Sequence, residues 1–164
     1  METSFRPWSA EDRGPIIEIF NYYIKNSFAA YPEEEVDDQF FAALLQFAKG
    51  YPAYVVLDEG EEVIGFAFLR PYSPLPVFSR VAEISYFIRP GFTRRGIGRA
   101  ILQHLIDLAK RRGIDTILGG ISSLNPDSIA FHQRNGFVEC GRFCKIGRKR
   151  EQEFDVVWMQ RFLE

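Results

Sequence analysis

The segment Arg94-Arg95-Gly96-Ile97-Gly98-Arg99-Ala100 constrains this chain more than any other. It follows a strand-like run, Val81–Ile88, and opens an amphipathic run over 97–109. Strand, glycine-rich turn and helix start, in that order, make an anion site. The free N–H groups of a helix's first turn point at the ligand, and the macrodipole favours negative charge there. Gly96 and Gly98 allow close backbone approach, because a side chain at either position would stand in the way. Arg94, Arg95 and Arg99 add charge-assisted donors, which suits a pyrophosphate bearing a further phosphate.

The rest of the chain reads as one domain over 1–164, long enough to bury a core. Ser9-x-x-Asp12 is a capping signature, followed by Ile16, Phe20, Tyr23, Ile24 and Ser27 at helical spacing. Phe40, Phe41, Leu44, Leu45 and Phe47 mark a second helix. Strands are expected at Ala53–Leu57, 63–69, Val81–Ile88, 115–121, 137–144 and 154–162. Helices are expected at 96–112 and Pro126–Arg134, with Pro71, Pro74 and Pro76 marking a loop. This order predicts an α+β sandwich with a mostly antiparallel sheet.

The net charge of −2 gives no general attraction to nucleic acid or anionic membranes. No apolar run is long enough to span a bilayer and no signal segment opens the chain, so a cytoplasmic location is expected. Cys140 and Cys144 lie four apart in an expected strand, roughly 13 Å between Cα atoms and too far to bridge. They read as small packing residues. Two histidines and no Cys-x-x-Cys predict no metal site. Arg142, Lys145, Arg148, Lys149 and Arg150 read as a solvated hairpin balanced by Glu151, Glu153 and Asp155.

Two common phosphate loops fail. Gly91 and Gly96 have Walker spacing, but Ile97 stands where lysine is required. Gly96 and Gly98 supply only part of a dinucleotide fingerprint, with Ile101 in the third place. What remains resembles the coenzyme A pyrophosphate loop of the GNAT superfamily of N-acetyltransferases, Gln/Arg-x-x-Gly-x-Gly/Ala, with Thr93 in the first place. The segment Asn125-Pro126-Asp127-Ser128 through His132 to Gly136-Phe137 resembles the superfamily's other landmark, Asn-x-x-Ala/Ser-x-x-x-Tyr-x-x-x-Gly-Phe, with His132 for the usual tyrosine. Ser128 and His132, the tail from Gly147 to Gln160, and Glu83–Ile88 are similar to the phosphinothricin and methionine sulfoximine acetyltransferase branch.

The resemblance implies a GNAT fold: a mixed, mostly antiparallel sheet, helices on both faces, and two splayed central strands admitting the pantetheine arm. It implies acetyl-CoA as co-substrate, a small primary amine as acceptor, and a homodimer. Cofactor contacts fall to Arg94, Arg95, Gly96, Ile97, Gly98, Arg99 and Ala100, to Asn125 and Ser128, and to the backbone of Tyr86, Phe87 and Ile88.

Acetyl transfer to an amine needs a base, oxyanion donors and a proton for the leaving thiolate. Glu83 shares a strand face with Val81, Ser85 and Phe87, where lost hydration would make a carboxylate more basic, and the branch carries glutamate there. The alternatives are a solvated glutamate or one paired with Arg80. His132 is the acid candidate, or else a hydrogen-bonding residue of the site, or a histidine satisfied at a helix end. His104 reads as structural. Phe28, Tyr31 and Tyr72 are candidate walls of the acceptor pocket, with Arg80 as a clamp for a substrate carboxylate. Neither cysteine lies in an activating motif, so direct attack without an acyl-enzyme is expected. Two other readings stay open: a non-catalytic acyl-CoA-binding module, and an enzyme acting on protein N-termini or lysines.

Overall fold

Alternation along the strands and 3.6-residue spacing along the helices sort the apolar side chains onto the two faces of one sheet. The structure is a computed structural model describing residues 2–164. Seven strands run β1 Ser4–Pro7, β2 Ala53–Leu57, β3 Val63–Pro71, β4 Val81–Ile88, β5 Thr116–Ser122, β6 Val138–Lys149 and β7 Gln152–Phe162. Their order in the sheet is β1-β2-β3-β4-β5-β7-β6, and among the described residues only the β4–β5 pair is parallel.

Helices α1 Arg13–Asn26 and α2 Asp38–Phe47 cover one face, burying Ile16, Ile19, Phe20 and Phe41 against Val55, Phe66 and Phe68. Helix α3 Ile97–Arg111 covers the other face. Its stripe Ile97, Ile101, Leu102, Leu105, Ile106 and Ala109 packs on Ile64, Ala82, Ile117 and Val157. Each large aliphatic side chain buried this way contributes about 1.5–3 kcal/mol. Helix α4 Pro126–Arg134 joins that side through Ile129 and Phe131. The mostly antiparallel sheet is the arrangement the element order predicted, and helices on both faces are what the resemblance implied.

The start of the chain departs from expectation. The capping signature opens a single 3-10 turn, Ala10–Asp12, and α1 begins only at Arg13. Asp12 is buried: its carboxylate accepts from the Ser9 N–H at 2.7 Å and from both Arg6 terminal nitrogens at 2.7 and 3.1 Å. Burial pushes the Asp12 carboxyl up, but Arg6 and Ser9 outweigh it and hold it below the usual value. That anchor accompanies β1, an edge strand the sequence reading did not foresee.

At the other end of the sheet β6 runs on to Lys149, with irregular pairing between Phe143 and Gly147. Gly147 lies directly beneath the Phe154 ring, where a Cβ would overlap it. Cys140 and Cys144 are exposed on this strand, so they are not packing residues. The basic cluster is not uniformly solvated either, because Lys149 is only 1% exposed.

Candidate active site

The parallel β4–β5 ladder is short. Val81, Ala82 and Glu83 pair with Thr116, Ile117 and Leu118, and there it ends. Beyond that point β4 stays on β3 as far as Ile88, while β5 stays on β7 as far as Ser122. The two strands therefore diverge around a cavity of about 210 Å³ lined by residues 84–88 and 119–122. Gly119 and Gly120 keep the β5 side open. The Gly120 backbone lies against the Trp158 indole, which a Cβ would meet at 3.3 Å.

The backbone facing this opening can be read from one bond. The Arg89 N–H donates to Ile64 O on β3 at 2.7 Å, so by alternation the Phe87 N–H also points to β3. The N–H groups of Tyr86 and Ile88 point the other way, toward the gap. Phe87 is thus corrected out of the backbone donors. Its ring instead packs on Phe20 and Tyr23 of α1. Tyr23 fixes the strand end, its hydroxyl donating to Ile88 O at 2.6 Å. Burial and then Tyr22 push the Tyr23 phenol up to about 12, so it stays a donor.

The cavity continues into a larger cleft of about 1080 Å³ that shares Tyr86, Ile88, Thr93, Asn125 and Ser128. The glycine loop forms its far wall through Arg94, Gly96, Gly98 and Arg99. Gly96 has φ 82° and caps α3, and Arg94 has φ 61°. This left-handed turn lifts the loop clear of the helix. Among the described residues the N–H groups of Ile97, Gly98 and Arg99 find no acceptor, while the Ala100 N–H returns to Gly96 O at 3.1 Å. Those orphan donors, with exposed Arg94 and Arg99, fit a pyrophosphate. The side chain of Ile97 faces the core, and Arg95 lies over the Phe92 ring at 5.4 Å. Arg94 forms an ion pair with Asp127 of α4 at 3.3 Å, joining the two helix starts that frame the cleft. Asn125 caps α4, its side chain accepting from the Ser128 N–H at 3.4 Å.

His132 is buried on the α4 side of the opening, and its Nδ1 is 2.7 Å from Ser128 O. A carbonyl only accepts, so Nδ1 carries the proton and Nε2 is bare. Tyr86 supplies the hydroxyl that Nε2 accepts, at 3.1 Å. Burial lowers the imidazole's pKa, partly offset by the Ser128 carbonyl. His132 is therefore neutral with its only N–H committed. It is a hydrogen-bonding residue of the site and has no proton to hand to a leaving group.

Glu83 lies on the opposite face, one strand alternation from Ser85 and two from Phe87. Its surroundings are not apolar: Arg70 of β3, directly across the ladder, donates from Nε and Nη2 to Oε2 at 2.9 and 2.5 Å. Among the described residues Oε1 receives no hydrogen bond, so it remains an open acceptor. The expected partner Arg80 is engaged with Asp115 at 2.9 Å, at the closed end of the β4–β5 ladder. Arg80 is thus corrected out of the acceptor clamp. Arg70 is the cation the sequence reading missed, because only strand register reveals it.

Phe28 and Tyr31 come together around Phe154, with ring centroids 6.0 and 5.5 Å from it. Tyr72 packs edge-on to Phe78 in the exposed proline loop. Lys149 lies beneath the first group, with Nζ 2.7, 2.9 and 2.7 Å from the carbonyl oxygens of Ile24, Ser27 and Ala30. Trp158 also escaped the sequence reading, although its buried Nε1–H has no acceptor among the described residues. His104 is structural as expected, stacked on Phe5 at 4.3 Å. Among the described residues no cluster of His, Cys, Asp and Glu could hold a metal ion, and no helix is long and apolar enough to cross a membrane.

Residues 16–137 match the family described as Acetyltransferase (GNAT) family. The chain belongs to the GNAT family. Over 98% of its length it is 31% identical to L-methionine sulfoximine/L-methionine sulfone acetyltransferase of Pseudomonas paraeruginosa, covering 94% of that relative. A GNAT superfamily phosphinothricin acetyltransferase from Sinorhizobium meliloti, solved with AcCoA, superposes with a TM-score of 0.92. It is 30% identical, with 99% of this chain and 89% of that one covered. A ribosomal-protein-alanine N-acetyltransferase from Brucella melitensis superposes with a TM-score of 0.89 at 31% identity, covering 98% of this chain and 99% of that one. This GNAT chain is an acetyl-CoA-dependent N-acetyltransferase.

Proposed function

We propose that this single N-acetyltransferase domain moves the acetyl group of acetyl-CoA onto the primary amine of a small amino-acid-like substrate. The observation that carries the reading is the two-sided opening between β4 and β5. Phosphate donors and a deep cleft lie toward α3 and α4. Ser85 and Phe87 line the inner cavity on the α1 side, and Glu83, the last residue paired with β5, precedes Ser85 on that same strand face. The thioester's acyl end enters from the first side and the amine from the second. Tyr86 and Ile88 N–H groups stand where a thioester oxygen would gain negative charge. Glu83 Oε1 takes the ammonium proton, directly or through one water. Arg70 holds the carboxylate, leaving part of its guanidinium for an acceptor carboxylate.

The test is thiol release from acetyl-CoA with L-methionine sulfoximine, L-methionine sulfone and phosphinothricin, against an alanine-initiated peptide. Greater turnover of the free amino acids supports the reading. Faster turnover of the peptide would favour the second reading, an enzyme on protein N-termini, to which the Brucella relative points.

We also propose a homodimer. Strand β6 is a twelve-residue edge exposed on both faces, and it carries Val138, Phe143 and Ile146, each more than half exposed. Native sheets seldom leave such an edge bare. Light scattering reads the assembly directly. The exposed free thiols Cys140 and Cys144 suit a reducing cytoplasm.

A further inference from the structure

In the proposed transfer reaction one step still lacks a donor. The thiolate that leaves the thioester needs a proton, and His132 has none to give, because its Nδ1–H is held by Ser128 O. What His132 holds is another proton. Its bare Nε2 accepts from the Tyr86 hydroxyl at 3.1 Å. The two residues come from opposite sides of the opening. Tyr86 belongs to β4, while His132 of α4 sits over β5, its Nε2 3.9 Å from where a Gly119 Cβ would be. Their hydrogen bond crosses the gap just past the last β4–β5 pair, Glu83 with Leu118. Tyr86 lines both the inner cavity and the outer cleft, so the phenol stands at the passage between them. Its ring is braced edge-on by Phe131, with centroids 6.2 Å apart.

We propose that Tyr86 is the catalytic residue that protonates the departing coenzyme A thiolate, with His132 as the residue that positions its hydroxyl. This rests on the acetyl-transfer reading above. Glu83 takes the first ammonium proton. The amine nitrogen then bonds to the acetyl carbon and the C–S bond breaks, its electron pair passing to sulfur. Sulfur takes the phenolic proton, which swings away from His132 Nε2 about the C–O bond, a freedom the ring-fixed Nδ1–H of His132 lacks. The phenolate oxygen takes the remaining surplus proton from the new amide nitrogen, which restores Tyr86. Burial holds the phenol well above its ordinary pKa, so it stays protonated until a strong base forms beside it. A thiolate born in the same desolvated gap is such a base.

The test compares the wild type with Tyr86→Phe, using acetyl-CoA and its selenoester analogue, acetylseleno-CoA. A selenol is a stronger acid than a thiol and departs as the anion without help. Tyr86→Phe should lose about 100-fold in kcat with the thioester. It should lose less than about threefold with the selenoester, with acetyl-CoA affinity unchanged by calorimetry. His132→Ala should show the same leaving-group pattern at a smaller loss. Equal losses with both donors, or an unchanged thioester rate, overturn the assignment while leaving acetyl transfer intact. A wild type that transfers no acetyl group overturns the transfer reading and this assignment together.

Discussion

Lys149 gives the sharpest energetic prediction, because the sequence disguises it as part of a solvated hairpin. Its ammonium is buried, bonds three carbonyl oxygens at 2.7–2.9 Å, and lies 5.8 Å from the centroid of the Phe28 ring. Those carbonyls belong to the end of α1 and the turn after it, so one cation closes the helix and carries Phe28 and Tyr31. Replacing it by Met keeps the volume, removes all three bonds and orphans Ser27 O and Ala30 O, while Ile24 O keeps the Arg150 guanidinium at 2.6 Å. Bonds to a charged group are worth about 1.5–3 kcal/mol each, a gross loss of about 5–9 kcal/mol. The ammonium's own desolvation, several kcal/mol, is relieved. Burial, and after it Arg150, already holds the Lys149 pKa below the usual lysine value, which is the signature of that cost. The net is about 2–4 kcal/mol, or a Tm lower by roughly 4–15 °C for a chain of this size. Thermal unfolding by circular dichroism measures it. Acceptor KM should rise about tenfold while acetyl-CoA affinity holds. A Tm within about 2 °C of wild type refutes the reasoning, since no three-carbonyl latch could then be carrying the turn.

Three other outcomes follow from the same geometry. His132 is buried neutral with its pKa lowered, so below about pH 6.5 the unfolded chain takes up a proton that the folded chain refuses. Stability should be full above that pH and fall as pH drops through it, and His132→Gln should flatten that part of the Tm-against-pH curve. Glu83→Gln should lower kcat/KM about 100-fold with acetyl-CoA affinity intact, a general base being worth about 10²–10⁴. An unaffected kcat/KM removes Glu83 from the base role. Cys140→Ser with Cys144→Ser should leave kcat within about twofold, and no burst of thiol should appear without an amine. A burst would show an acyl-enzyme.

Much of this architecture was legible because local signals agree. Ile97, Ile101, Leu105 and Ala109 mark one helix face, and all are buried. Ala53–Leu57, Val81–Ile88 and Pro126–Arg134 have the bounds that alternation and the Asn-Pro start predict. The glycine loop needed only its neighbours to declare itself. The illegible parts depend on partners distant in sequence. β1 is four residues with a terminal proline, so alternation never accumulates. Arg70 meets Glu83 only through the β3–β4 register, and the expected strand stopped one residue short of it. Arg80 looked like the free cation because its pairing with Asp115 is equally non-local. Lys149 sits among charges that do face water, and its burial comes from a turn at Arg150 and Glu151, both with positive φ, pressed against α1. His132 was visible as a residue, but its proton was not. The Ser128 carbonyl and the Tyr86 hydroxyl decide which nitrogen carries it.

The central claim is that the loop after β4 and the opening beside it together hold acetyl-CoA. Calorimetric titration of the purified chain with acetyl-CoA, at low and moderate salt, tests it most directly. The account predicts saturable binding near one site per chain, weakened by salt as Arg94 and Arg99 are screened. Absence of binding at any salt would contradict it and return Arg94–Ala100 to an ordinary turn before a helix.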